Sequence, residues 1–276
     1  MITFFKMLSV LPLWLLHGLG WLLGWLVFIG SGGYRCRFVA NARQAGLGLR
    51  DWLGAVGAGG KLVTELPRLW LGRPVPVQWD GQAHVQAALD AGRGVLFLTP
   101  HLGCFEVAAQ AYVQRFGQRG KAMTVLYRPP RQAWLRVLVE ASRQRPGLRT
   151  APATLLGVKQ LLKALQQGEC VGLLPDQVPP LGMGRMTPFF GRDAYTMTLA
   201  ARLAQQTGAC VLLAWGERLN RGRGYCVRVY PLGQTLPAAL PEAMQVINLA
   251  MQALVLQCPQ QYLWGYARYK QPRETL

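Results

Sequence analysis

Acidic residues are scarce in this 276-residue chain: 12 Asp and Glu stand against 30 Lys and Arg, a formal net charge of +18. An imbalance of that size implies a polyanionic partner: nucleic acid, an anionic membrane surface, or an acidic carrier or substrate, with an Arg-rich proteome supplying part of the bias. Lysine is scarce too, at 6 of those 30 cations, so the positive charge is carried by Arg, the better residue for bidentate contact with phosphate or carboxylate. The six cysteines, at 36, 104, 170, 210, 226 and 258, contain no Cys-x-x-Cys pair. Their pattern argues against a zinc or disulfide framework and for buried thiols in a reducing compartment, with Cys104, Cys170, Cys210 and Cys226 in or beside apolar runs. No structural metal is expected. Internal repeats and Ser/Gly/Pro-rich linkers are absent, and long apolar runs are confined to the start of the chain, which excludes a multi-spanning transporter. With 51% hydrophobic residues the chain is no disordered segment either.

What is present begins with an anchor. Leu8–Ile29 carries no charge beyond a possible one on His17. At ~1.5 Å per residue it extends about 33 Å, enough to cover a hydrocarbon core of ~30 Å. It is too long for the apolar part of a cleavable signal, and Trp14, Trp21 and Trp25 suit a spanning or interfacial membrane helix, a buried core helix being the other reading. Lys6 precedes it, whereas Arg35, Arg37, Arg43 and Arg50 follow, which places the following domain on the cytoplasmic face. Residues 51–73 read as an amphipathic stretch broken by glycines and Pro67, a second surface contact. The expected organisation is an anchor helix over 1–33, a membrane-proximal amphipathic segment over 34–76 and an α/β domain over 77–276.

Beyond Pro76, short β-rich runs alternate with helical periodicity. Gly94–Thr99, Ala122–Tyr127, Cys170–Leu174, Cys210–Trp215 and Tyr225–Tyr230 read as strands. Phe105–Phe116, Gln132–Gln144, Leu155–Gln167, Tyr195–Gln206 and Pro241–Gln257 read as helices. This alternation favours an α/β fold, a sheet with helices on its faces.

Chemistry gathers where strands end. Pro100-His101-Leu102-Gly103-Cys104-Phe105-Glu106 follows an apolar strand and opens a helix, the position where α/β sheets place their sites. Glu106, five residues after His101, can return across the turn to orient the imidazole and stabilise the imidazolium formed when His101 takes a proton. Alone, His-x4-Glu also fits a helix-start His beside an ordinary helix Glu. Further strand ends carry Tyr127-Arg128-Pro129 and Leu174-Pro175-Asp176-Gln177, while Arg143 and Arg145 close a helix, where compensation of the helix dipole would explain them equally well.

These motifs together resemble the late acyltransferases of bacterial lipid A biosynthesis, within the lysophospholipid acyltransferase superfamily. The resemblance covers about Asn41 to Lys270. It rests on His101-x4-Glu106, Tyr127-Arg128-Pro129, Arg143, Gly168-Glu169, Pro175-Asp176-Gln177, Pro188-Phe189-Phe190-Gly191 and Pro259–Trp264 with Arg268 and Lys270. The family often has Asn and Trp where this chain has Cys104 and Phe105.

The resemblance implies a single acyltransferase domain, a mixed sheet flanked by helices behind an N-terminal hydrophobic membrane helix, at the bacterial inner membrane. It implies transfer of a fatty acyl chain from acyl-carrier protein to a hydroxyl of a phosphorylated lipid A precursor. His101 would be the general base, held by Glu106; Arg143 and then Arg128 would contact substrate or oxyanion, and Asp176 would serve site architecture. Tyr127, Gln177, Phe189, Phe190 and Gly191 complete the substrate-binding set. No metal or bound cofactor is implied, the acyl-carrier thioester being a co-substrate. Its partners would be acyl-carrier protein, anionic inner-membrane lipid and the glycolipid acceptor, without nucleic acid. A lysophospholipid or other membrane lipid as acceptor, or a non-catalytic basic lipid-binding module, are the alternatives.

Overall fold

The computed structural model describes residues 2–117, 121–127, 132, 136, 138–139 and 145–272. Four helices come first: α1 (Ile2–Ser9), α2 (Leu13–Gly30), α3 (Gly32–Gln44) and α4 (Leu49–Leu71). The domain that follows comprises β1 (Val77–Asp80), α5 (Gln82–Asp90), β2 (Val95–Leu98), α6 (Phe105–Arg115), β3 (Met123–Tyr127), β4 (Leu148–Pro152), α7 (Leu155–Gln166), β5 (Cys170–Leu173), β6 (Gly184–Phe189), β7 (Arg192–Met197), α8 (Leu199–Thr207), β8 (Cys210–Arg218), β9 (Tyr225–Pro231) and α9 (Leu240–Gln257).

Seven strands form one mixed sheet in the order β1-β9-β8-β2-β5-β3-β4, with β8 and β9 antiparallel and the other pairs parallel. Strands β2 and β5 are buried at every position, as central strands covered on both faces must be. One face carries α5 and α6, where Val85, Leu89, Val107 and Tyr112 meet Val95, Phe97 and Val229. The other carries α7, α8 and α9 through Leu161, Leu203, Met244 and Met251 on Leu96, Leu98 and Leu213.

Three expectations change. The apolar run Leu8–Ile29 is not one helix, because Pro12 takes the N-cap position of α2 and separates it from α1. The stretch expected to be broken by glycines and Pro67 is the continuous α4, whose Gly57 and Gly60 face Gly24 and Gly20 of α2 so closely that a Cβ would strike the opposite helix. The helix expected from Tyr195 starts at Leu199, since Arg192–Met197 pairs with Gly184–Phe189 as a hairpin. The helix expected over Gln132–Gln144 lies largely outside the described residues. Strands β1 and β4 and helix α5 were not expected from the local pattern. Cys104, Cys170 and Cys226 are buried as expected, Cys210 is half-buried, Cys258 is buried and Cys36 is exposed.

Candidate active site

The site follows from strand register. Leu98 of β2 pairs with Leu173 of β5 in parallel, so three residues beyond each strand His101 and Asp176 emerge side by side. Asp176 Oδ1 accepts from His101 Nδ1 at 2.7 Å, and Oδ2 accepts from the His101 backbone amide at 2.8 Å. The Tyr262 hydroxyl donates to the same Oδ2 at 3.2 Å. Burial alone would raise the Asp176 carboxyl; the His101 charge, both His101 hydrogen bonds and Arg268 hold it below its ordinary value. Burial and the Asp176 charge push the Tyr262 phenol up, which keeps it a donor.

An ionised carboxylate can only accept, so His101 carries its proton on Nδ1 and leaves Nε2 bare when neutral. The Gln177 amide donates to that nitrogen at 2.9 Å. The imidazole is thus held in the tautomer that a general base needs, with a replaceable amide on its lone pair.

The loop carrying His101 is fixed on both sides. Gly103 donates to the Gln261 carbonyl, Cys104 to the Gly216 carbonyl at 2.7 Å, and Leu263 to the His101 carbonyl. Gly103 has φ +60°, and a Cβ there would collide with the Gly216 carbonyl, so only glycine lets the loop lie against β8. Helix α6 starts immediately after, and its N-cap, Cys104, offers no side-chain hydrogen bond to the first turn. The positive end of that helix therefore stands beside His101.

His101 opens on an apolar cavity of about 780 Å³ between α6 and the sheet. The space exists because small residues occupy positions where layers would otherwise interlock: Ala108 and Ala109 on α6, Gly172 on β5, Ala214 on β8. Phe97, Tyr112, Val227, Trp70 and Trp79 form further wall, and Met183, Met197 and Leu199 line the side toward the hairpin.

The expected site residues distribute unevenly. His101, Glu106, Tyr127 and Gln177 all line the cavity, and Asp176 sits behind His101. The carboxylate on Nδ1 is Asp176, not Glu106 as expected: parallel pairing of β2 and β5 delivers Asp176 to the ring, while Glu106, in the first turn of α6, forms part of the cavity wall and favours the charge of Arg145. Asp176, expected to serve site architecture, lies in the field of Arg268, and its hydrogen bonds go to His101 and Tyr262. Phe189, Phe190 and Gly191 do not line this cavity: they form the tip of the β6–β7 hairpin, packed on Trp264 and bonded to Gln44, Gln252 and Tyr269. Arg128 and Arg143 lie outside the described residues. Among the described residues no group of three or more His, Cys, Asp or Glu converges as a metal site would require.

Residues 70–271 match the family model described as bacterial lipid A biosynthesis acyltransferase. The chain belongs to that family. It is an acyltransferase with an α/β architecture. It is 26% identical over 243 residues to the lipid A biosynthesis lauroyltransferase of Escherichia coli (strain K12), an alignment covering 84% of this chain and 71% of the relative. It is 24% identical over 194 residues to the lipid A biosynthesis palmitoleoyltransferase of the same strain, covering 69% of this chain and 60% of that one. A lipid A biosynthesis acyltransferase of Shigella flexneri matches to the same extent. The site of this family member thus pairs a base-competent histidine with an apolar cavity.

Proposed function

We propose that the protein transfers a fatty acyl chain from the thioester of acyl-carrier protein to a hydroxyl of a phosphorylated lipid A precursor, at the cytoplasmic face of a bacterial inner membrane. The observation that carries this reading is His101, clamped by Asp176 with Nε2 turned to Gln177, at the edge of a large apolar cavity. The acceptor hydroxyl replaces the Gln177 amide on Nε2. His101 takes its proton as the oxygen attacks the thioester carbon, and the charged imidazole is held by Asp176. The tetrahedral oxyanion is placed at the start of α6, where the Phe105 and Glu106 amides and the helix dipole oppose its charge. Collapse breaks the carbon–sulfur bond, and His101 returns the proton to the departing carrier thiolate. Ester and free thiol result, with no metal or bound cofactor required by the chemistry.

Glu106 is assigned to the acceptor side of the cavity, accepting hydrogen bonds from acceptor hydroxyls. Tyr127 and the apolar wall hold the acyl chain. Arg128 and Arg143 are retained as candidate contacts to acceptor phosphate or oxyanion. The +18 charge suits all three acidic counterparts: carrier protein, phosphorylated sugar and anionic headgroups.

The test is mass spectrometry of lipid products after membranes containing the protein are incubated with acyl-carrier thioesters and a tetraacylated lipid A precursor. A gain of one acyl chain, lost with His101→Ala, is expected. Acylation of a lysophospholipid alone would move the acceptor class, and no transfer to either by folded protein would sink the reading.

A further inference from the structure

Helix α2 is long and apolar enough to cross a bilayer, with 18 residues spanning about 27 Å. Its packing forbids a free crossing. Leu13, Leu16, His17, Gly20, Gly24 and Phe28 form a buried stripe along its whole length. Backbones touch at Gly20 against Gly60 and at Gly24 against Gly57, and Thr64 donates to the Leu16 carbonyl at 2.7 Å. His17 contacts Glu65 at 3.1 Å, and Glu65 binds Arg218 of β8 at 2.6 Å and Tyr225 of β9 at 2.9 Å. At its start, Trp14 presses on Gly222 in the turn between those strands. The helix is welded to the catalytic sheet by a fully buried carboxylate and by close backbone contact.

A spanning α2 would therefore drag Glu65, Arg218 and the irregular turn 219–224 to membrane depth. Lipid does not tolerate irregular backbone exposed to it, because its polar groups find no partner there. The opposite face of α2 is nonetheless strongly apolar: Trp14, Trp21, Leu22, Leu26 and Ile29 are 50–67% exposed. Exposed Arg221 and Arg223 flank Gly222 at the start of this stripe. Exposed Arg35 and Arg37 follow its end, where the Arg35 guanidinium caps the Phe28 and Ile29 carbonyls. An apolar stripe with cations at both ends, fixed to a folded body, matches a helix lying in a headgroup layer.

We propose that α2 lies in the plane of an anionic bilayer surface, sunk by its Trp14–Ile29 face, and does not cross. Arg35 and Arg37 at one end, and Arg221 and Arg223 at the other, then meet lipid phosphates. The proposal does not depend on the acceptor or donor of the reaction.

Topology labelling of the full chain decides it. Met7→Cys and Leu22→Cys are made in a Cys36→Ser background, with Cys36 of the unaltered chain as reference for the far end of α2. Each is exposed to a membrane-impermeant maleimide in inverted inner-membrane vesicles and in intact spheroplasts. Met7→Cys is expected to react from the same side as Cys36, with Leu22→Cys protected until detergent is added. Reaction of Met7→Cys from the opposite side shows a spanning helix and overturns the proposal. Protection of Leu22→Cys that persists in lipid-free protein and depends on its concentration shows a second copy on this face, and overturns it too. As a second measurement, Arg221→Gln with Arg223→Gln should weaken binding to phosphatidylglycerol/phosphatidylethanolamine vesicles about fivefold per cation. Unchanged binding removes the electrostatic half of the proposal.

Discussion

Asp176 grips His101 twice, through the ring at Nδ1 and through the backbone amide, at 2.7 and 2.8 Å. The double contact fixes both the tautomer of the imidazole and the position of the loop that carries it, so one carboxylate performs the orientation expected of Glu106.

Asp176→Asn should separate the two carboxylates. An amide in that place can donate to Nδ1 and force the proton to Nε2, the wrong tautomer for a base. The expected loss in kcat is about 10³–10⁴-fold, with the ring's 15N shifts reporting the tautomer change. Glu106→Gln leaves the Nδ1 bond in place, so its 15N pattern should match wild type while KM for the acceptor rises. A wild-type tautomer in Asp176→Asn would contradict the assignment.

Gln177 is hydrogen-bonded to His101 Nε2, the atom that takes the proton in the proposed reaction. Gln177→Ala frees Nε2 and removes the competitor of the acceptor hydroxyl, and also leaves the ring less restrained. Steady-state kinetics should show an altered KM for the acceptor with kcat within about tenfold of wild type, because a single neutral hydrogen bond contributes only ~0.5–1.5 kcal/mol. A loss as deep as that of His101→Ala would make Gln177 part of the chemical step instead.

Glu65 is fully buried between His17, Arg218 and Tyr225. Burial alone would raise its carboxyl; Arg218 and His17 outweigh that and lower it from 4.5 to about 2. Because the folded value is depressed, its stabilisation is complete above about pH 4.5 and is lost as pH falls toward 2. Glu65→Gln strands the Arg218 charge and should cost about 3–5 kcal/mol near neutral pH. The gap between variant and wild type should narrow in denaturant titrations below pH 4.5. Glu65→Leu with Arg218→Met should cost less than Glu65→Gln alone, since no buried charge is left unpaired.

Cavity length is set by small residues, and Ala108 is one of those on α6 that hold it open. Ala108→Phe should shorten the acyl chain accepted. A single methylene in an apolar pocket discriminates by about 10–200-fold, so competition between acyl-carrier thioesters of two lengths would read the shift directly. Unchanged preference would place the acyl chain in the part of the cavity toward Met183 and Met197 instead.

The alternating apolar runs made the α/β character of the domain legible, because buried parallel strands such as Val95–Leu98 and Cys170–Leu173 need continuous apolar sequence and their helices need a period near 3.6. The edge elements β1 and β4 were not legible: each is only four or five residues long and carries polar residues, as Val77–Asp80 and Leu148–Pro152 do. His101 was found because histidine is rare and this one ends a strand. That Phe189–Gly191 braces the tip of a hairpin outside the large cavity was not legible either, because a motif does not show where its residues sit in the fold.

Composition and local pattern by themselves determined the fold class, the apolar start of the chain, the positive charge and the strand ends where chemistry sits. These depend on neighbours in sequence, where periodicity and turn residues act. Which carboxylate meets His101 was decided only by the tertiary structure, since parallel pairing of β2 with β5 joins residues 75 positions apart. The same holds for the apolar helix. Its 18 residues satisfy the length of a crossing, but the glycine contacts with α4 and the buried Glu65–Arg218 pair tie one face to the catalytic sheet, and that packing leaves only the other face free.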